Sequence, residues 1–239
     1  MPVLTAHGLT KIYGSPKEIT PTRALCGLNL EVETQEFVGV MGPSGSGKTT
    51  LLNILATIDT PTSGSIRING VSPAELHGDE LALFRRRKLG FVFQDFNLLN
   101  TLSVRDNIAL PLALDNVKAK EIDRRVGEVA ARLGITHILD KRTYEISGGE
   151  QQRAAIARGI VHRPAILLAD EPTGNLDPET AWEIMKVLTD INNRGTTVLM
   201  ATHAKDIVDE MRKRVIAIEN GVLIRDEEKG GYGREIQTN

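Results

Sequence analysis

Gly42-Pro43-Ser44-Gly45-Ser46-Gly47-Lys48-Thr49 constrains the fold of this chain more than any other stretch, because it fills the G-x-x-x-x-G-K-[ST] pattern in the context that gives the pattern meaning. The apolar run Phe37 to Met41 reads as a strand immediately before it, and Thr50 to Ile58 reads as a helix immediately after. Glycines in such a loop let successive backbone N–H groups converge on phosphate oxygens, and the following helix turns its positive end toward the same anion. Lys48 can neutralise the β- and γ-phosphates, and Thr49 offers a hydroxyl to Mg²⁺, a hard ion that prefers oxygen. Read alone, the segment is a Gly/Ser-rich turn. Its flanking strand and helix make it a nucleotide site, without fixing the reaction.

Four short apolar runs, Phe37 to Met41, Leu89 to Phe93, Ala165 to Ala169 and Thr197 to Ala201, lack polar alternation and predict strands buried on both faces, hence a parallel sheet covered by helices. Ser65 to Asn69 and Leu28 to Val32 alternate instead, and predict a smaller antiparallel sheet with one wet face. Between Asp95 and Pro164 strand signals stop, while Ile122, Val126, Val129, Ala130 and Leu133 share one helical face. The expected division is therefore a core of residues 1–94 and 165–225, a helical insert over 95–164, and a polar tail over 226–239. The fold class is α/β, a mixed sheet core with an antiparallel β subdomain and a helical subdomain.

Ile166-Leu167-Leu168-Ala169-Asp170-Glu171 is an apolar strand ending in two carboxylates, at the edge where ligands of open α/β sheets bind. Adjacent strand residues point to opposite sides, so the two acids have different tasks. Asp170 suits the Mg²⁺ water shell, and Glu171 is free to polarise a water attacking the γ-phosphate. A lone Asp-Glu pair would be a helix cap or a solvated surface pair; the phosphate loop upstream overrides that reading. His203, after the strand Thr197 to Thr202, is placed to reach the far side of the γ-phosphate. Gln94 ends another strand and can offer its amide oxygen to Mg²⁺ or to the water.

Ser147 with Glu150 three residues later makes a capping box for a helix running to about Val161. Gly148 and Gly149 inside that box cost helix stability, which indicates close approach of another group, an anion being the natural candidate. Ile146 to Arg153 (Ile-Ser-Gly-Gly-Glu-Gln-Gln-Arg) resembles the signature motif of ABC ATPases, with Ile146 where Leu is usual. The resemblance extends from about Val3 to Gly221. It implies ATP contacts at Tyr13, which would stack on adenine, and at Gly42, Pro43, Ser44, Gly45, Ser46, Gly47, Lys48, Thr49 and Thr50. It implies Mg²⁺ held by Thr49, Gln94 and Asp170, partly through water, and catalysis by Glu171, His203 and Gln94. It further implies a D-loop at Gly174 to Asp177, and a head-to-tail homodimer in which Ser147, Gly148, Gly149 and Glu150 of one copy meet the ATP of the other. Two departures stand out: Gln35 replaces a usual Gly, and Ala204 follows the histidine where Asp is common, so no D-loop contact here can rely on that Asp.

The loop Gly14 to Arg23, the run Arg85 to Gln94 and Asn97 to Leu99 resemble the branch holding macrolide exporters, lipoprotein-releasing ATPases and bacitracin-resistance transporters. Phe93 to Leu99 with Asn107 to Leu112 resembles the bacitracin-resistance type most, whereas Arg214 to Gly221 through Gly233 is similar to the cell-division ATPase. That branch implies a lever on extracytoplasmic domains in place of carriage through the bilayer.

At 239 residues and 41% hydrophobic the chain can bury a core. Twenty-nine Lys and Arg against 31 Asp and Glu provide no global positive field for nucleic acid or anionic lipid. A single cysteine, Cys26, excludes an internal disulfide and suits a reducing compartment. No apolar run approaches the ~20 residues that span a bilayer. The expectation is a cytoplasmic protein held on the inner face of the cell membrane by a separate permease subunit. A P-loop kinase would need an acceptor pocket and an Arg-rich lid, and a DNA-structuring ATPase would need a long coiled coil and a basic surface. A translation factor or regulator of the same family carries two cassettes where this chain has one phosphate loop.

Overall fold

The computed structural model describes residues 2–14 and 21–228. In chain order the elements are β1 (Pro2–Tyr13), β2 (Thr22–Glu33), β3 (Phe37–Met41), α1 (Lys48–Leu55), β4 (Ser63–Ile68), α2 (Asp79–Lys88), β5 (Leu89–Val92), α3 (Val104–Leu114), α4 (Ala119–Arg132), α5 (Gly148–Ile160), β6 (Ile166–Asp170), α6 (Pro178–Asn193), β7 (Thr197–Ala201), α7 (Lys205–Met211), β8 (Arg214–Glu219) and β9 (Val222–Glu227). Two sheets form, a three-stranded one in the order β2-β1-β4 and a six-stranded one in the order β5-β6-β7-β3-β8-β9. The small sheet is antiparallel. The large one is parallel except for its edge strand β9.

The missing polar alternation has its cause in two apolar layers, one on each face of the large sheet. Leu167, Ala169, Val198 and Met200 join one layer with Val92, Ile108, Ile156 and Leu188 from the helices α3, α5 and α6 and from β5. Ile166, Leu168, Leu199 and Ala201, their neighbours along the same strands, join the other with Val38, Val40, Leu51, Leu52 and the small sheet. Successive residues therefore enter opposite layers, and neither side tolerates a polar group. Because β3, β5, β6 and β7 are parallel, their carboxyl ends fall along one edge of the sheet, which collects the loops beginning at Gly42, Phe93, Glu171 and Thr202.

Several boundaries differ from the sequence expectation. β1 and β2 each run twelve residues, longer than the alternating stretch Leu28 to Val32, because they pair over most of their length. Thr22 and Arg23, read as part of the loop Gly14 to Arg23, belong to β2, and residues 15–20 of that loop lie outside the described residues. The polar tail expected from 226 starts too early: Asp226 and Glu227 complete β9, where Asp226 pairs with Arg214 at 2.7 Å. Residues 229–239 lie outside the described residues. Gln35 has φ 66, the left-handed region in which the more usual Gly would be unstrained.

Candidate active site

The phosphate loop begins where β3 ends. Gly42 has φ 152, and a Cβ there would collide with the carbonyl oxygen of Ile218 and with Ser46 Oγ. Gly47 has φ 107, and its Cβ would strike the carbonyl of Ala24. No other residue type fits either position, so the loop lies pressed against β8 and β2. The Gly221 N–H donates to the Ser46 carbonyl at 3.0 Å and its carbonyl accepts from Cys26 N–H at 2.9 Å, which fastens the loop to both strands. Helix α1 starts at Lys48 with no side-chain cap and no acidic residue in its first turn, leaving its first N–H groups and positive end for an anion. Lys48 is 7% exposed; its Nζ donates to the carbonyls of Gly42 at 2.8 Å and Pro43 at 3.0 Å, folded over the loop it serves.

Asp170 ends β6 beside α1. Burial pushes its carboxyl up from the ordinary aspartate range, opposed by a hydrogen bond with Thr49 and reinforced by the charge of Glu171, with Lys48 pulling down. Glu171 follows in a left-handed backbone conformation, φ 46, with its N–H bonded to the Ala201 carbonyl at 2.9 Å. Its Oε2 lies 2.9 Å from His203 Nδ1, without hydrogen-bond alignment. Gln94, in the loop after β5, is knit to the loop after β6: Asn175 Nδ2 donates to the Gln94 carbonyl and to Asp95 Oδ1, each at 3.2 Å.

Ser46 Oγ, Asp170 Oδ1 and Glu171 Oε2 are buried without a hydrogen-bond partner. Each such atom costs about 1–3 kcal/mol unless a ligand completes it. Hard oxygens from Thr49 and Asp170 beside an orphaned carboxylate oxygen fit a Mg²⁺ ion. Among the described residues no group of three or more His, Cys, Asp or Glu is placed to hold a metal ion by itself.

Tyr13, 40% exposed at the end of β1, borders the same cleft of about 640 Å³ as Gly45, Lys48, Thr49, Thr50, Gln94, Glu171 and His203. Its hydroxyl donates to Asp59 Oδ2 at 2.7 Å. Thr22, Arg23 and Ala24 also line this cleft, and sequence reasoning missed them together with Asp59. The signal for Thr22 is its antiparallel pairing with Tyr13, which is visible only once β2 is known to start there.

Ser147 to Glu150 lie elsewhere. Glu150 N–H donates to Ser147 Oγ at 3.3 Å and Ser147 N–H donates to Glu150 Oε2 at 2.8 Å, a complete capping box at the start of α5. That Ser147 N–H holds the Glu150 carboxyl below its usual range, with a smaller contribution from His137. With Asn175, Asp177 and Thr180 these residues line a second cleft of about 330 Å³. Asp177 caps α6, accepting from Thr180 N–H at 3.0 Å. Of the two glycines, Gly149 has its approach explained within the chain, since a Cβ there would meet Thr180 Cγ2 at 2.6 Å. Gly148 is less crowded, its nearest neighbour at 3.6 Å being Leu176. Ala204 precedes α7 and provides no side-chain cap.

The family model described as ABC transporter matches residues 25–174. An uncharacterised ABC transporter ATP-binding protein of Bacillus subtilis, YvcR, is 54% identical over 96% of this chain and 89% of its own length. The cell division ATP-binding protein FtsE of the same organism is 49% identical over 88% of this chain and 92% of its own. The bacitracin export ATP-binding protein BceA of Halalkalibacterium halodurans is 43% identical over 98% and 92%. Among solved structures, a dimeric ATP-binding cassette in a post-hydrolysis state with ADP and Pi superposes with a TM-score of 0.86 at 37% identity, covering 96% of this chain and all of that one.

Proposed function

The chain is a member of the ABC transporter ATP-binding family and hydrolyses ATP, and from that premise we propose that two copies close head to tail around two ATP molecules to drive a separate integral membrane partner. One observation carries the reading: Ser147 to Glu150 and Asp177 line a cleft of their own, apart from the cleft of Lys48 and Glu171. A cleft around the phosphate loop and a second cleft at the start of α5 are candidate complementary halves of one composite site. The solved relative being a dimer with ADP and Pi supports joining them.

In this mechanism the N–H groups from Gly42 to Lys48 and the start of α1 hold the β- and γ-phosphates, Lys48 neutralises them, and Tyr13 takes the adenine. Thr49 and Asp170 would hold Mg²⁺, with Gln94 contributing partly through water. When bound, the ion neutralises charge that builds on the phosphate oxygens. Glu171, fixed by its backbone bond to Ala201, polarises the attacking water, and His203 beside it orients that carboxylate and meets the γ-phosphate. Ser147 and Gly148 of the partner copy close over the same phosphate.

Coupling to a membrane partner is supported by a groove of about 470 Å³ between α2, β5, α3 and the end of α5, bordered by Arg85, Phe91, Leu110 and Leu114. Leu114 is 56% exposed there. The groove lies between the core and the insert over 95–164, so a cytoplasmic segment docked in it would move with that insert when the dimer closes. No helix among the described residues is long and apolar enough to cross a membrane. The chain works on this reading at the cytoplasmic face of the cell membrane, through its partner. Its output is mechanical work on the envelope, of the export, antimicrobial-peptide resistance or lipoprotein kind. The likeness to FtsE favours one further reading, a cell-division ATPase that regulates envelope hydrolysis without transport.

Glu171→Gln tests the enzymatic core. With ATP this variant accumulates as a closed dimer on size exclusion and shows near-zero turnover; normal turnover would remove Glu171 as the polarising base. Copurification from the host membrane tests the rest. Recovery of a multi-spanning protein with a large extracytoplasmic domain is expected, and its absence under crosslinking would sink the coupling.

A further inference from the structure

Tyr13 does not stand alone at the wall of the cleft. Asp59, in the loop after α1, receives three hydrogen bonds: from the Tyr13 hydroxyl at 2.7 Å, from Lys11 Nζ at 2.6 Å and from Thr60 N–H at 2.7 Å. Lys11 Nζ also donates to the Thr60 carbonyl at 2.8 Å and sits 4.8 Å from the centroid of the Tyr13 ring. The ring is thus anchored at its hydroxyl and attended by an ammonium within cation–π range. Burial alone would raise the Asp59 carboxyl, but the hydrogen bonds from Lys11 and Tyr13 reverse this and hold it below the usual range.

Such a unit exceeds an ordinary surface ion pair. Lys11 is only 12% exposed, and the pair is bonded to a third side chain that borders the nucleotide cleft. Its place in the fold matters more. Helix α1 starts in the phosphate loop and Asp59 follows the end of the same helix, so a tie from Asp59 to Tyr13 sets the spacing between phosphate loop and ring. We infer that Asp59, with Lys11, is a positioning residue that holds the Tyr13 ring as a platform for the nucleotide base at a fixed distance from the phosphate loop. This rests on the reading of Tyr13 as the base platform. Asp59 sits in Asp59-Thr60-Pro61-Thr62, a segment whose turn chemistry conceals any such task.

A pair of ligands separates this role from a structural one. ATP carries a base and inorganic tripolyphosphate does not, while both engage the phosphate loop with Mg²⁺. Asp59→Ala is expected to raise the KM for ATP about fivefold with kcat within about twofold, the signature of lost binding that ground and transition states share. Tripolyphosphate affinity, read by titration calorimetry, is expected to stay unchanged. Asp59→Asn keeps an acceptor for the Tyr13 hydroxyl and restores most of the loss, whereas Tyr13→Phe reproduces Asp59→Ala. Equal weakening of ATP and tripolyphosphate overturns the inference, because the damage would then be to the fold of the loop; so does unchanged ATP affinity in both Asp59→Ala and Tyr13→Phe. Tyr13→Ala keeps the two levels apart. If it leaves ATP affinity untouched, the platform reading itself fails; if it weakens ATP while Asp59→Ala does not, only the positioning role falls. Should Asp59→Ala fail to fold, Asp59→Asn and Tyr13→Phe carry the same comparison.

Discussion

On the proposed roles, Asp170 gives up stability for chemistry. Its carboxyl is raised by burial, with Thr49 and Lys48 only partly offsetting, and its Oδ1 has no partner. An acid whose pKa is higher folded than unfolded binds protons more readily when folded, so the protein loses stability as pH rises through the folded value. Above the folded value that cost is fully present, and it is relieved on acidification toward the ordinary range. Asp170→Asn keeps the shape and removes the charge. Without nucleotide it should stabilise the protein by about 1 kcal/mol, visible as a higher melting temperature and a flatter pH dependence on the acidic side. ATP hydrolysis should be lost at the same time. A melting temperature that falls would mean that the ionised carboxylate is a net stabiliser held by Lys48. Glu171 carries a cost in its backbone: a non-glycine residue at φ 46 costs about 1–3 kcal/mol, which the role proposed for its side chain would account for.

At the scale of elements, the decisive contact is the crossing of β5 and α5, which joins the helical insert to the sheet. A Cβ on Gly90 would collide with the Gly159 carbonyl and lie 2.9 Å from Leu167 Cδ1, so strand and helix touch backbone to backbone. Gly90→Ala should therefore cost about 3 kcal/mol, since a packed backbone cannot yield as a side chain can. Chemical denaturation would measure it, and a cost below about 0.5 kcal/mol would show that the crossing has slack. Neither glycine announces this role in the sequence, because a close approach between elements 69 residues apart leaves no local pattern. What was legible there is what local physics dictates. Val38, Leu167, Leu168 and Leu199 betray strands covered on both faces, Gly42 to Thr49 betrays the phosphate loop, and Ser147 with Glu150 betrays the start of α5. What was hidden depends on pairing. β9 alternates half-buried with exposed residues and ends in charge, and only the bonds of Asp226 to Arg214 and of β8 to β9 reveal it as a strand. Asp59 was hidden for the same reason, its partners lying in β1.

At the scale of the whole molecule, the two clefts make a prediction that no single copy can satisfy. In a head-to-tail pair, each complete site takes Lys48 and Glu171 from one copy and Ser147 to Gly149 from the other. Lys48→Ala spoils the phosphate half and Ser147→Arg spoils the covering half, so each variant alone forms dimers with no intact site. In a mixed dimer both defects fall on one site, and the other receives an unaltered phosphate loop and an unaltered helix end. Equal amounts of the two variants, exchanging at random, leave half of the dimers mixed with one of two sites intact, or about a quarter of the wild-type activity if sites turn over independently. The measurement is ATP hydrolysis by each variant alone and after mixing. Activity that stays at the level of the separate variants, under conditions where tagged copies demonstrably exchange, would mean that each copy is complete by itself or that both sites must fire together. Where mixing restores activity, adding Glu171→Gln to the Ser147→Arg chain tests which copy supplies the carboxylate, because it disables the one rescued site and nothing else. Rescue that survives this addition would show that the active carboxylate comes from the other copy, reversing the assignment of the two halves.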